Sequence, residues 1–186
     1  MPGAYRVCLE TADCGDDATS KFQNGDLLGH VLVGPYIAWA GEYALVVSDD
    51  QGIAGYSLAV SDTASFEAWA EKEWWPTLRE QYPVVPGDSE DADFTRRIHA
   101  PVHVRTDLLD EYPAHLHIDL LERARGRGLG RALMERQIAT LRQNGVRGLH
   151  LGVDRQNVNA IEFYRHLGFV TLAQTTSGEI MGLVLS

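Results

Sequence analysis

Cysteine and, in the first half, basic residues are the scarce components of this 186-residue chain, which has two cysteines and only four Lys or Arg among positions 1–95. Cys8 and Cys14 are too few and too close together to staple a chain of this length, and no CxxC or Cys/His zinc spacing exists. A reduced, cytoplasmic setting is therefore expected. No apolar run approaches the roughly 20 residues of a spanning helix; the longest, 31–40, is interrupted by Gly34 and Pro35. Met1-Pro2-Gly3-Ala4-Tyr5-Arg6 lacks a basic stretch followed by an apolar run, so neither a secretory signal nor a membrane anchor is expected there.

The shortage of basic residues is local. Positions 1–95 carry 4 basic and 17 acidic side chains, whereas 96–186 carry 12 and 9. With a net charge of -10, the chain is a poor candidate for nucleic acid, whose phosphates supply most of the non-specific affinity. A small phosphorylated ligand is still allowed. At 45% hydrophobic and 23% charged residues, the composition is that of an ordinary globular protein, and one domain over 1–186 is expected.

Alternation predicts a first strand over 4–9, followed by a loop rich in Asp and Gly over 11–17. Apolar runs at 43–48 and 53–60 flank Ser48-Asp49-Asp50-Gln51-Gly52, the chemistry of a hairpin turn, so they are expected to be antiparallel neighbours. A helix is expected over 62–81, capped by Asp62, with Phe66 and Trp69 on one face and Trp74, Trp75 and Leu78 extending it. That face suits packing within the domain or against a second copy, so a homodimer is left open. Pro83, Pro86, Gly87 and the acidic run 88–93 read as a loop. The second half reads as strand 115–121, glycine turn, helix 127–144, strand 149–153, helix 157–166 and two closing strands at 169–173 and 180–185. A strand, helix and strand joined this tightly imply a parallel crossover, hence an α/β fold with a mixed sheet.

Arg125-Gly126-Arg127-Gly128-Leu129-Gly130-Arg131 lies between a predicted strand and a predicted helix. Glycines there let bare N–H groups approach a ligand, and a helix N-terminus adds partial positive charge. Such a turn is an anion site. A dinucleotide fingerprint starting at Gly126 would need glycine where Arg131 stands, and a P-loop would need Lys followed by Ser or Thr. What remains is Arg125-x-x-Gly128-x-Gly130. It resembles the pyrophosphate loop of the GNAT superfamily of acyl-CoA-dependent N-acyltransferases. Downstream, Asn157-x-x-Ala160-x-x-x-Tyr164 and Leu167-Gly168-Phe169 resemble that family's closing motifs. Tyr112-Pro113-Ala114-His115-Leu116-His117-Ile118-Asp119 and the Trp-rich helix inserted before this central strand are similar to the acetyltransferase-like C-terminal domain of eukaryotic O-GlcNAcase and its stand-alone bacterial counterparts. That eukaryotic domain lacks the glycine-rich loop, which this chain keeps.

The resemblance implies a GNAT fold and acetyl-CoA as co-substrate. The strands ending near Leu120 and Asp154 would splay, with the main chain of Ile118, Asp119 and Leu120 pairing with the pantetheine arm. Arg125, Gly126, Arg127, Gly128, Leu129, Gly130 and Arg131 would hold the pyrophosphate, and Asn157 would touch the cofactor. Tyr164 matches the family's proton donor to the departing thiolate. Asp119 and Asp154, at the ends of adjacent strands, are candidates to bind the acceptor amine or take its proton. The acceptor is left as a small-molecule amine or a protein lysine. The acidic first half and the run 88–93 would border the acceptor site and attract a cation. Two alternatives stay open: a non-catalytic acyl-CoA-binding module, and a metallo-hydrolase built on His115-x-His117-x-Asp119, whose expected further His is replaced by Leu120. The resemblance itself implies no metal.

Overall fold

The computed structural model describes residues 1–104 and 106–185. In chain order it runs α1 (Pro2–Leu9), α2 (Asp26–Leu32), α3 (Gly34–Trp39), β1 (Ala44–Asp49), β2 (Gly52–Val60), α4 (Thr63–Trp69), α5 (Trp75–Gln81), α6 (Glu90–His99) and α7 (Thr106–Leu109). It continues through β3 (Ala114–Leu120), α8 (Leu129–Gln143), β4 (Gly148–Asp154), α9 (Val158–His166), β5 (Val170–Gln174) and β6 (Gly178–Val184). The strands form one mixed sheet in the order β1-β2-β3-β4-β6-β5, parallel only between β3 and β4.

Two expectations are corrected. The segment 4–9 is helix rather than strand: Pro2 occupies the first turn, and Ala4, Val7 and Cys8, three and four apart, are its buried residues. The acidic run 88–93 is the start of α6 rather than a loop. Ser89 accepts from the Ala92 N–H at 3.2 Å, acidic residues occupy the first turn and Arg96, Arg97 and His99 the last, which suits the helix dipole. Asp91 accepts from the N–H groups of Gln23 and Asn24 at 2.9 and 3.0 Å and so ties α6 to the entrance of α2.

The expected helix 62–81 forms as α4 and α5 joined by a π-helical turn over Ala70–Trp74, and Asp62 caps it by accepting from Ser65 N–H at 2.7 Å. Trp75 is buried, and the Trp74 indole N–H donates to the carbonyl of His30 at 2.9 Å, so this face packs on α2. The hairpin of β1 and β2 forms as expected. One hydrophobic cluster joins Tyr56, Leu58 and Val60 of β2 to α1, α2, α4 and α6. The other joins Leu116, Leu149 and Leu151 to Met134 and Leu141 of α8 and Tyr164 of α9. The sheet is thus buried on both faces, and Ala114, Leu116 and Ile118, alternating along β3, all face the second cluster.

Candidate active site

The parallel pairing of β3 and β4 covers only Ala114 with Leu149 and His115 with His150. Beyond that rung β3 continues alongside β2 as far as Leu120, and β4 alongside β6 as far as Asp154, so the two centre strands separate and leave a gap. The ladder fixes which main-chain groups face it. Leu121 N–H bonds to Ala54 carbonyl at 2.9 Å, and antiparallel alternation then turns the main chain of His115, His117 and Asp119 toward β2 and that of Leu116, Ile118 and Leu120 toward the gap. Asp119 is therefore corrected as a main-chain partner for an extended ligand. Ile118 keeps that role, while the carbonyl of Leu120 already accepts from Arg125 Nε at 2.8 Å.

Below the gap lies a cavity of about 540 Å³ whose lining includes Ile118, Asp119, Asp154, Asn157 and Tyr164. The fold thus brings together residues separated by up to 46 positions in the sequence. Asn157 caps α9, its Oδ1 accepting from Ala160 N–H at 3.1 Å, which leaves its Nδ2 for a ligand. The half-buried Asp119 carboxylate accepts the Tyr56 hydroxyl at 2.5 Å; desolvation raises its pKa, against the lowering pull of Tyr56, Thr11 and Arg125. Burial, with the Asp119 charge added, also raises the Tyr164 phenol above its ordinary value. Asp154 differs in kind. It is exposed, and its carboxylate accepts from Gln156 N–H at 2.8 Å at the end of β4. Of the acidic run 88–93, Glu90 lines this cavity.

In the turn between β3 and α8, Gly126 and Gly128 hold φ of +67 and +76, and a Cβ built on either meets no atom within 4 Å. Left-handed backbone with empty space above it is a cradle that side chains would fill. Gly128 is the N-cap of α8, so the N–H groups of Leu129, Gly130 and Arg131 lack intrahelical acceptors. Arg127 is exposed, and Arg131 pairs with Glu135 at 2.8 Å. Arg125 does not point into this cradle. Its guanidinium bridges the Leu120 carbonyl and that of Gly15, tying the loop between α1 and α2 to the end of β3.

His115 and His117 are held by a hydrogen-bond chain whose polarity can be read off. Thr63 hydroxyl donates to Pro113 carbonyl at 2.7 Å, so it accepts from His115 Nδ1–H, also at 2.7 Å. His115 Nε2 then accepts the Tyr36 hydroxyl at 2.7 Å, and the Tyr36 oxygen accepts from His117 Nε2–H at 2.9 Å. Both rings are neutral: burial depresses both pKa values, that of His117 to about 4. Three of their four nitrogens are thereby committed. Among the described residues no group of three or more His, Cys, Asp and Glu is placed to hold a metal ion.

Sequence reading missed Tyr36 and Tyr56. Tyr56 sits in an apolar strand and Tyr36 follows Pro35, and nothing local marks either as the partner of a residue 63 to 81 positions away.

Residues 27–169 match the family model described as Acetyltransferase (GNAT) family. The chain is 27% identical over 175 residues to Protein O-GlcNAcase of Rattus norvegicus; that match takes in 91% of this chain and 19% of the relative, so the chain spans about a fifth of that protein's length. A shorter stretch of 50 residues is 46% identical to Mycothiol acetyltransferase of Beutenbergia cavernae, covering 27% of this chain and 17% of that one. Among solved structures, that of SsHAT superposes with a TM-score of 0.90 at 33% identity, covering 100% of this chain and 93% of the other.

Proposed function

The chain belongs to the GNAT acetyltransferase family, and from that premise we propose that it moves an acetyl group from acetyl-CoA directly to a primary amine, both bound at once. The observation that carries this reading is the gap between β3 and β4, which opens beside an unfilled glycine cradle at the N-terminus of α8. The residues present fit the co-substrate. Main-chain N–H groups at 128–131 would take the pyrophosphate, aided by Arg127 and by the helix dipole. Ile118 would pair with the pantetheine amides as an added strand, and Asn157 Nδ2 would donate to the same arm.

In the proposed step the amine nitrogen bonds to the thioester carbonyl carbon and the carbon–sulfur bond breaks. Asp119 takes the amine proton through water, and Tyr164 Oη supplies a proton to the sulfur. The raised pKa of Asp119 suits a base that must act near neutral pH. Asp154, exposed at the strand end, would attract the cationic form of the acceptor and not handle its proton. Arg125 supports the site as a positioning residue through Leu120 and Gly15.

Gly128→Asp tests the cradle. A carboxylate placed where phosphates are expected, on backbone that disfavours a side chain, should weaken acetyl-CoA binding about tenfold to a hundredfold. The space there is open, so the fold survives. Calorimetric titration of acetyl-CoA reads this, and unchanged affinity would remove the premise. Asp119→Asn should lower kcat/KM at least about tenfold. It should also raise the unfolding midpoint at neutral pH, because the folded-state pKa of Asp119 is raised. Its ionised form therefore costs stability above that pKa, and the cost fades as the pH falls toward the unfolded value. A variant that is both active and no more stable than the parent would contradict this assignment.

A further inference from the structure

A second cavity, of about 390 Å³, lies under α3 and α4 on the sheet face that carries His115 and His117, a size suited to a small ligand. It shares Leu32, Arg97, Leu116, His117 and Gly152 with the cofactor-side cavity, so the two adjoin at the β3–β4 gap. A Cβ at Gly152 would meet nothing within 4 Å, so nothing stands between them at that position. The walls are mostly apolar and include Tyr36, Phe66, Trp75 and Ile180.

One fully buried polar atom here has no hydrogen-bond partner among the described residues. His150 is 4% exposed; its Nδ1–H donates to the Tyr112 carbonyl at 2.7 Å, which leaves Nε2 with a lone pair and no hydrogen bond. The Tyr36 chain fixes the proton of His117 on Nε2, so its Nδ1 carries a lone pair; that atom is not among the fully buried unpaired ones and can accept from a ligand. Both rings line the cavity. A buried acceptor left without a donor is costly, and its natural complement is a ligand N–H. Of the other polar lining groups, Glu67 accepts from Val104 N–H and from His103, each at 3.0 Å, and the Arg97 guanidinium, at the border of the two cavities, stacks on the Phe94 ring at 4.6 Å. Among the described residues no unpaired carboxylate lines the cavity for a second ammonium group, and the Arg97 guanidinium beside it disfavours a polycation.

We infer that this cavity takes the acceptor as a small primary amine on a compact apolar body, oriented by donating its N–H groups to His117 Nδ1 and His150 Nε2. The inference rests on the acetyl-transfer reading and names the substrate class for that site. The histidines position the amine and do not remove its proton, since burial makes both weak bases. Proton removal stays with Asp119.

The test measures thiol release from saturating acetyl-CoA with phenethylamine, isopentylamine, spermidine, glucosamine and a lysine peptide. The two apolar amines should exceed the others in kcat/KM at least about tenfold, in keeping with unpaired polar groups rejected from an apolar site. His150→Leu should raise the KM of phenethylamine about tenfold without changing acetyl-CoA affinity, and His150→Gln, which restores an acceptor oxygen, should recover part of it. Val102 lines the same cavity and is 86% exposed, so Val102→Glu retains the fold and should weaken the apolar amines selectively. A higher kcat/KM for spermidine, glucosamine or the peptide overturns the inference while leaving acetyl transfer intact. Where acetyl-CoA binds and no amine reacts, titration of phenethylamine into the CoA-loaded protein decides, and absence of binding overturns it. Failure of acetyl-CoA itself to bind removes the parent reading instead.

Discussion

Replacing Tyr164 with phenylalanine is expected to lower kcat about a thousandfold, within the range that a positioned proton donor contributes. Acetyl-CoA affinity and stability should stay near the parent values. The ring packs with its centroid 5.5 Å from that of Phe163 and 5.6 Å from that of Phe169, and phenylalanine keeps those contacts. Tyr164 lines the cavity that Asp119 also lines, and no hydrogen bond to its hydroxyl forms among the described residues. Burial first and the Asp119 carboxylate second hold the phenol protonated in the resting protein. In the proposed step the second cause vanishes at the moment of need: once Asp119 takes the amine proton, its charge would no longer oppose ionisation of Tyr164, and base and acid would be coupled across β3. Rapid-quench measurement of thiol release in the variant would decide the matter, and a kcat within threefold of the parent would make Tyr164 only a packing residue.

The second half of the chain was legible because its elements announce themselves locally. Gly128 and Asn157 each cap the helix the spacing predicts, and Leu149, Leu151 and Val153 alternate as a strand does. The first half was harder. In 4–9 a six-residue alternation competes with the three-and-four spacing of Ala4, Val7 and Cys8, and only packing against α2 and β2 decides between them. In α6 the acidic run hid a helix start that Ser89 and the later arginines also signalled. Within the site, Tyr164 was singled out by motif and Asp119 by strand alternation, but the direction of the Asp119 main chain depends on register with β2, which one strand's sequence does not contain. Arg125 was expected in the pyrophosphate loop, whereas its guanidinium bonds to the Leu120 and Gly15 carbonyls. Its partner Gly15 lies 110 residues away, so its tethering of the α1–α2 loop could not be read.

Acid should unfold this protein well before its carboxylates are exhausted. His117, near pH 6.5 when unfolded, titrates at about 4 in the fold because burial disfavours the imidazolium. Between those values the unfolded chain binds the extra proton, so the stability this residue confers is complete above about pH 6.5 and is lost as the pH falls toward 4. A shift of that size corresponds to about 3 kcal/mol. His115, whose pKa burial and the neighbouring His117 and His150 hold well below the usual value, adds to the loss in the same direction, as do His30 and His150. Asp119 opposes them, because its raised pKa returns stability as it protonates. The histidines outnumber it, and the net slope is downward. Urea unfolding at pH 7, 6, 5 and 4 should show stability falling by at least about 3 kcal/mol, with the slope reduced in His117→Gln. A flat profile between pH 7 and 5 would mean that the Tyr36 chain already carries a charged imidazole, and the polarity assigned from Pro113 through Thr63 and His115 to His117 would have to be reversed. The same neutral state that makes the fold acid-sensitive leaves His117 Nδ1 an acceptor in the proposed amine pocket, so acid should abolish amine binding along with the fold that shapes it.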